Sequence, residues 1–508
     1  MTAAWPTELY SAAGVRALDA AAIEQFSIPA LTLMQRAGAA AYAVLRVRWP
    51  DARHICIVCG RGNNAGDGFV LARLAHADGL TVQVLAIDTD PDKPEFTGAA
   101  QAACDAMLTA GVHLNRWPAA DFKSADVLVD ALFGTGLNRA PAGIWQAVIE
   151  AMNNAAVPVL ALDIPSGLQA DNGSVPGIAV AAAVTVSFIG LKTGLFTGCG
   201  RDYCGEIVFA GLDVPAGVYT DVPPTARRID YNQYRQGLGS RQRSAHKGRF
   251  GHVLVVGGDF GYNGAVRLAA EAAGRCGAGL VSIATRSSYA HTIAAVRPEL
   301  MGHAVETPSA LEPLLEQASV VAVGPGLGQT AWGESLWQAV MDTTLPLVVD
   351  ADGLNWLAQN PCRRDNWILT PHPGEAARLL GQDTASIQAD RFAAVQALQQ
   401  RYGGSIVLKG SGTLIASAAG SIALCSDGNP GMATGGMGDV LSGVIAALLA
   451  QHYPQAAELG VCLHAAAADA AARDGERGLL AADLFPWLRR LVNPLANPLA
   501  NPLAHPGV

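Results

Sequence analysis

The stretch His54-Ile-Cys-Ile-Val-Cys-Gly-Arg-Gly-Asn-Asn-Ala-Gly-Asp-Gly68 decides the fold. Residues suited to a buried strand run into a glycine-rich turn, and an apolar helical run follows at 69–77. Strand, turn and helix in that order make the repeating unit of a parallel sheet, because parallel neighbours can be joined only by a crossover over one face. The unit recurs. Short β-branched runs at 55–58, 81–85, 127–129, 157–162 and 183–188 alternate with alanine-rich stretches of helical period. Near-continuous apolar strands are strands buried on both faces, so the first half is expected to be α/β in three layers. Upstream, Ser11 to Arg48 carries helical periodicity broken at Pro29, which predicts two helices, the second starting near Ala30.

Between residues 212 and 232 this order dissolves into Asp213-Val-Pro-Ala-Gly217 and Asp221-Val-Pro-Pro-Thr225. Such turn-rich sequence marks a domain boundary. A second α/β series starts at His252-Val-Leu-Val-Val-Gly-Gly258 and continues through 280–284, 320–323, 347–349, 367–369 and 405–409. The end of the chain repeats Asn-Pro-Leu-Ala from 493 to 504, and prolines at a period of four exclude a helix there. The expected division is 1–222, 223–492 and a flexible tail of 493–508.

With 508 residues, half of them hydrophobic and 15% charged, the chain has the material for two large cores. Its net charge of −9 and the absence of Lys/Arg runs argue against nucleic acid and membrane surfaces as partners, which leaves small molecules. Nine scattered cysteines, mostly inside apolar runs, suit reduced core thiols. Cys56 and Cys59 are spaced as C-x-x-C, but no second pair completes a zinc site, and the surrounding run reads as a buried strand. No basic segment followed by an apolar one opens the chain, and no apolar stretch reaches the length of a membrane span, so a cytoplasmic location is expected.

Three segments of the first half combine strand ends with polar groups. The turn at 60–68 offers Asn63, Asn64 and Asp67, whose oxygens can orient a ligand or coordinate a hard cation, at a helix start that favours phosphate. Val129-Asp-Ala-Leu-Phe-Gly-Thr-Gly-Leu137 puts Asp130 at a strand end, and Ala161-Leu-Asp-Ile-Pro-Ser-Gly167 does the same for Asp163. Ligands of open α/β sheets bind beyond the carboxyl ends of the strands, so these loops should converge on one crevice.

On these motifs, residues 11–213 resemble the NAD(P)H-hydrate epimerase family, with a Rossmann-like three-layer domain. The resemblance implies that Asn64, Asp130 and Ser166 hold a potassium ion and that Asp163 is the acid/base residue. It also implies that Asn63, Asn64, Ala65, Gly66 and Asp67, with Gly134, Thr135, Gly136, Leu137, Asn138, Arg139 and Ala140, embrace the hydrated nucleotide. Ala65 stands where the family often has Gly and Asn172 where it often has Thr; neither change removes a functional group.

The strongest motif of the second half is Gly428-Asn-Pro-Gly-Met-Ala-Thr-Gly-Gly-Met-Gly-Asp-Val-Leu-Ser-Gly443, whose glycines run straight into an apolar helix at 440–450. Backbone amides freed by glycine at a helix start form an anion hole, and Asp439 beside them can take a proton from a hydroxyl. Leu408-Lys-Gly-Ser-Gly-Thr413 offers a lysine and loop amides to phosphates, and Gly324-Pro-Gly-Leu-Gly328 and Val349-Asp-Ala-Asp-Gly-Leu-Asn355 follow other strands. Thr370-Pro-His-Pro-Gly-Glu375 sets His372 in a rigid loop between two prolines.

Together with Gly257-Gly-Asp-Phe-Gly-Tyr-Asn-Gly-Ala265 and Cys276-Gly-Ala-Gly-Leu-Val281, these motifs resemble the ADP-dependent NAD(P)H-hydrate dehydratase family over residues 231–491, with a ribokinase-like α/β domain. Carried over, Ala265, Gly326, Gly328, His372 and Asp439 would contact the hydrated nucleotide, and Lys409, Gly410, Ser411, Gly412, Thr413 and Gly438 the adenine nucleotide. Met437 replaces a frequent Ser and Gly353 a frequent Ala; the first alters a side chain near the phosphate and leaves the amide. The implied chemistry is repair: R and S forms of hydrated NADH and NADPH are interconverted, and the S form is dehydrated as ADP becomes AMP and phosphate. Magnesium is expected with the nucleotide, and a homo-oligomer as the assembly. Two other readings are a ribokinase-like small-molecule kinase that releases its phosphorylated product, and a non-catalytic nucleotide sensor. The first half argues against the kinase, and Asp163 with Asp439 against the sensor.

Overall fold

The computed structural model describes residues 5–87, 96–117, 122–137, 139–418 and 420–493. Of the expected 493–508 tail, everything past Asn493 lies outside the described residues. The chain divides into two compact units, residues 1–228 and 229–508.

In the first unit seven strands form an all-parallel sheet. From edge to edge they are Leu114–Arg116, Thr81–Ala86, His54–Cys59, Val127–Ala131, Val159–Leu162, Val184–Phe188 and Glu206–Ala210. The period of two along His54–Cys59 sends Ile55, Ile57 and Cys59 into the core on one face and Cys56 and Val58 into the core on the other. Helices Ala30–Arg48, Asn63–Ala77 and Gly98–Thr109 cover the first face and Ile144–Asn154 the second, giving the expected three layers. His54–Cys59 lies between Thr81–Ala86 and Val127–Ala131, so the chain winds away from it in both directions. At such a switch point the loops after the two central strands part and leave a crevice.

The two predicted N-terminal helices are Ala12–Glu24 and Ala30–Arg48. The third helix begins at Asn63, six residues earlier than its apolar run suggests. Its glycines serve packing more than ligand approach: a Cβ at Gly66 would lie 2.4 Å from Met34 Sδ, and one at Gly68 2.9 Å from Ala131 Cβ.

Among the described residues the second unit carries nine strands in one sheet. Met301–Ala304, Leu280–Thr285, His252–Val256, Val320–Val323, Leu347–Val349, Trp367–Leu369 and Ser405–Leu408 are parallel, and Thr413–Ala416 and Ile422–Cys425 extend the sheet antiparallel. The antiparallel pair was not legible as strands, and it follows a reversal at Gly410 and Gly412, whose φ values of 138° and 66° suit glycine. Here too the first strand, His252–Val256, sits between neighbours from two directions of winding.

Helix Met437–Ala450 forms the centre of this core, with eleven of its residues buried. It crosses Asn263–Arg275 so closely that a Cβ at Gly443 would lie 1.9 Å from the Ala269 carbonyl oxygen. Backbone cannot yield as a side chain can, so Gly443→Ala should destabilise the second unit by about 3 kcal/mol, read as a lower denaturation midpoint. An unchanged midpoint would mean that the two helices are not locked at this crossing.

All nine cysteines are free; seven are buried, and Cys199 and Cys362 are exposed. Among the described residues no helix is long and apolar enough to cross a membrane.

Candidate active sites

A cleft of about 1080 Å³ opens at the switch point of the first unit. Asn63, Asn64 and Asp67 line it from the start of helix Asn63–Ala77, and Gly134, Thr135, Gly136, Leu137, Arg139 and Ala140 from the loop after Val127–Ala131. Asp163 enters from the end of Val159–Leu162. Asn138 lies outside the described residues. Ala65 and Gly66 belong to the same helical turn but are buried, and neither lines the cleft; their side of the helix faces the core.

Asp163 sits at φ 66°, a conformation uncommon for a side-chain-bearing residue, and its amide donates to the Val186 carbonyl at 2.7 Å. Its Oδ1 accepts from the Phe188 amide at 3.2 Å and forms an ion pair with Lys192. Lys192 is fully buried and also donates to Ser187 Oγ at 3.1 Å and the Phe188 carbonyl at 3.0 Å. All three protons of the ammonium therefore have acceptors, which anchors the carboxylate of Asp163 at the cleft wall.

Beneath the cleft the Asp130 carboxylate accepts from the Ser166 amide at 2.7 Å, Ser166 Oγ at 2.6 Å and the Leu132 amide at 3.2 Å. Burial pushes Asp130 up to about 6 against those hydrogen bonds. Ser166 Oγ also accepts from the Phe133 amide at 2.8 Å, and Asn64 Nδ2 donates to the Phe133 carbonyl at 3.0 Å. Asn64 Oδ1 is buried and has no hydrogen-bond partner. An orphaned buried acceptor is costly and calls for a missing donor or cation.

In the second unit Lys409 Nζ lies 2.7 Å from Asp350 Oδ1 and 3.8 Å from Glu375 Oε2. Ser442 Oγ donates to Asp350 Oδ2 at 2.8 Å. Although burial opposes it, the Lys409 charge and these hydrogen bonds hold Asp350 below the usual carboxylate range. With the lysine so engaged, the other two acids are left short of positive charge. Burial, with the Asp350 charge adding to it, pushes Asp439 up to about 7 and Glu375 up to about 7, while Lys409 pulls both down.

Asp439 stands in the first turn of Met437–Ala450, three residues after Gly436, which caps that helix at φ 91°. A Cβ at Gly438 would lie 3.2 Å from Lys409 Nζ and 3.5 Å from Asp350 Oδ2. The bare backbone at 438 thus faces the ion pair directly, and Gly435 beside it is exposed with open space around it. Free amides of a helix start, one lysine and a carboxyl that can hold a proton near neutrality meet at one place.

The Lys409 side chain, expected on the adenine nucleotide, is occupied by Asp350; the backbone of 410–413 is what the loop has to offer. Arg391, almost fully buried, holds that loop by donating to the carbonyls of Leu408 at 3.2 Å, Lys409 at 3.3 Å and Gly412 at 3.3 Å. Thr413 Oγ1 closes the turn onto the Gly410 carbonyl at 3.0 Å. Ser411 lies exposed within it.

His372 is not in a plain loop. It caps helix Pro373–Leu380, its Nδ1 accepting from the amides of Gly374 at 3.0 Å and Glu375 at 3.3 Å, while Glu375 Oε2 accepts from the His372 amide at 2.7 Å. Because Nδ1 accepts, the proton of neutral His372 sits on Nε2, on a half-exposed ring. Gly326 lies against Tyr262 and Ala265, and the Gly328 amide donates to Asp352 Oδ2 at 2.9 Å. The segments carrying these residues interlock through Gly258 N to Pro325 O at 3.1 Å and Asp259 N to Gly326 O at 2.6 Å.

Sequence reasoning missed Asp19, Lys192, Arg391 and the part played by Glu375. Lys192 stands alone in the run Phe188-Ile-Gly-Leu-Lys-Thr-Gly-Leu-Phe196, and a single charge in apolar sequence is the signal of a paired buried group. Pro373 followed by Glu375 was a legible helix start. Arg391, the first residue of helix Arg391–Tyr402, gave no sign of its burial.

Residues 253–490 match the model of a family described as NAD(P)H-hydrate dehydratase. Residues 30–194 match that of the YjeF-related protein N-terminus. Over 96% of its length the chain is 48% identical to a bifunctional NAD(P)H-hydrate repair enzyme of Coxiella burnetii, of which it covers 100%. It is 45% identical to a bifunctional NAD(P)H-hydrate repair enzyme of Escherichia coli, with 96% of this chain and 95% of that one aligned. A solved ADP/ATP-dependent NAD(P)H-hydrate dehydratase of Bacillus subtilis, co-crystallised with ATP and Mg2+, is similar at 30% identity and a TM-score of 0.45, covering 51% of this chain and 95% of that chain.

Proposed function

Because this chain belongs to the family of bifunctional NAD(P)H-hydrate repair enzymes, we propose that its first unit interconverts the R and S forms of hydrated NADH and NADPH, and that its second dehydrates the S form. In the second step ADP becomes AMP and phosphate. Every residue assigned to the first activity lies within 1–222 and every residue assigned to the second within 223–492. The observation that carries the second assignment is the meeting of Gly438 with the Lys409–Asp350 pair, next to Asp439.

In that corner the hydrate is poised for phosphorylation. Asp439 takes the proton of the hydroxyl as its oxygen attacks the terminal phosphorus of ADP, and AMP leaves. The amides at 435–438 take up the charge that develops on the phosphoryl oxygens. The phosphate ester is a far better leaving group than hydroxide. Its C–O bond breaks as the ring nitrogen supplies electrons, and loss of the neighbouring carbon's proton restores the dihydronicotinamide. Ala265, Gly326, Gly328 and the Nε2 face of His372 are assigned to the hydrate, and the 409–413 loop with Gly438 to the adenine nucleotide. Magnesium is assigned to the nucleotide phosphates, with which it would arrive.

In the first unit Asp163 is assigned proton transfer to or from the hydroxyl oxygen as the C–O bond of the hydrate breaks and re-forms. Potassium fits the site below it: Asn64, Asp130 and Ser166 supply oxygen only, Asn64 Oδ1 is orphaned, and the buried Asp130 is pushed up to about 6. These three residues would hold the ion, which would supply the positive charge the carboxylate lacks. We place the protein in the cytoplasm, in keeping with its nine free thiols.

The test is to incubate the purified protein with mixed hydrate epimers, with and without ADP, and to separate the nucleotides by chromatography. The expected result is R/S equilibration without ADP and complete conversion to NADH or NADPH with it. Accumulation of a stable phosphorylated hydrate would instead make the second unit a kinase. A pH series adds a sharper check. Asp439 must be a carboxylate to accept a proton, and it is pushed up to about 7, so kcat/KM for dehydration should rise about tenfold per pH unit below that value and level off above it. A profile flat from pH 5.5 to 8.5 would remove Asp439 as the base.

A further inference from the structure

We propose that Asp19 is the second proton-transfer group of the first unit's cleft: it gives a proton to the departing hydroxyl of the hydrate, while Asp163 takes the proton of the water that returns on the opposite face. This rests on the reading of that unit as an epimerase.

Inversion at a carbon bearing both a hydroxyl and a ring nitrogen needs two proton movements on two faces. The C–O bond breaks as the nitrogen lone pair forms a C=N bond, and the oxygen leaves as water only if it gains a proton. Water then adds to the other face of the planar cation and must lose one. The proton passes from Asp163 back to Asp19 through solvent in the cleft, so nothing is consumed. A single carboxyl anchored on one wall cannot serve both faces at once, which is why inverting sites elsewhere pair an acid with a base across the reacting carbon.

Two carboxyls reach the same cleft from different elements, Asp163 from the end of Val159–Leu162 and Asp19 from helix Ala12–Glu24. Helix Ala12–Glu24 is pinned at its start by Ser11 Oγ, which accepts from the Gly14 amide at 3.1 Å, and by Asp171 Oδ1, which accepts from the Ala12 amide at 2.6 Å. Val15, Asp19 and Ile23, each four residues apart, then line the cleft together with Arg16, while Leu18 and Ala22 are buried in the core. The carboxyls of Asp19 and Asp163 differ in how they are held. Asp163 meets the cleft as half of an ion pair with Lys192 and also accepts the Phe188 amide. The Asp19 carboxyl makes no hydrogen bond among the described residues and is free to carry a proton in and out.

Burial and the nearby Asp163 push Asp19 up to about 6, with Lys192 pulling the other way. Asp67, the third acid on the cleft, is pushed up by burial, with the Asp163 and Asp19 charges adding to it.

The experiment follows R/S interconversion without ADP, from pH 5 to 9, in full-length wild type, Asp19→Asn, Asp19→Glu and Asp67→Asn. Wild type should lose rate as pH rises above about 6, where Asp19 gives up its proton, and in labelled water the product hydroxyl should carry solvent oxygen. Asp19→Asn should lower kcat about a hundredfold with little change in KM and abolish that alkaline decline. Asp19→Glu should regain most of the rate, which a merely disrupted fold would not allow, and Asp67→Asn should keep the decline. The proposal is overturned if Asp19→Asn keeps the wild-type kcat or the alkaline decline, if Asp67→Asn is the variant that loses it, or if no solvent oxygen enters. A wild type that does not interconvert the epimers at all defeats the epimerase reading itself.

Discussion

Asp439→Asn is expected to lower ADP-dependent recovery of dihydronicotinamide absorbance by about three powers of ten, the range over which a lost general base is felt, while R/S interconversion keeps its wild-type rate. The substitution is close to isosteric. The residue stands in the first turn of Met437–Ala450, where an amide side chain is tolerated, and the glycines before it are untouched. The Lys409–Asp350 ion pair that faces Gly438 also survives, so ADP should still bind. The loss should therefore fall on kcat, and single-turnover measurement should place it in the phosphoryl-transfer step. Removing one of three crowded acids also relieves repulsion on Glu375, and thermal stability should hold or rise. A variant that loses affinity for ADP at unchanged kcat would show that Asp439 binds and does not transfer protons. Parallel loss of epimerisation would contradict the division of labour between the units.

Much of this was legible in the sequence, for a physical reason. Buried parallel strands are apolar on both faces, so 55–58, 127–129 and 320–323 stand out as continuous runs. Polar residues at their ends, such as Asp130, Asp163 and Asp350, have few structural grounds for being there. Helix starts were less readable, because the turn at 60–68 and the motif at 428–443 look like loops until one sees that Gly66, Gly68 and Gly443 are small to let helices approach. The hairpin after Leu408 was hidden because two four-residue apolar runs are too short to show a period. Partnership was the least legible property. That Lys192 belongs to Asp163, Lys409 to Asp350 and Arg391 to the carbonyls of its loop depends on contacts across 29, 59 and about 20 residues of sequence, which no local pattern encodes.

The Asp163–Lys192 pair gives the second large expectation. Asp163→Asn should stop R/S interconversion to within about a thousandth of the wild-type rate, whereas dehydration with ADP should run normally and halt once the S form is exhausted. Stability should fall as well, because Lys192 is fully buried and would be left without its counter-charge; breaking a buried pair from one side costs about 3–5 kcal/mol. A dead epimerase could then be an unfolded one. The double variant Asp163→Asn, Lys192→Met separates the two causes. Methionine fills much of the lysine's volume without a charge to bury, so most of the lost stability should return, since apolar replacement of both partners is often near neutral. Epimerase activity should not return, because the group that exchanges the proton is still absent. If the double variant regains both stability and interconversion, Asp163 serves only to neutralise Lys192, and the proton must move through another acid of the cleft.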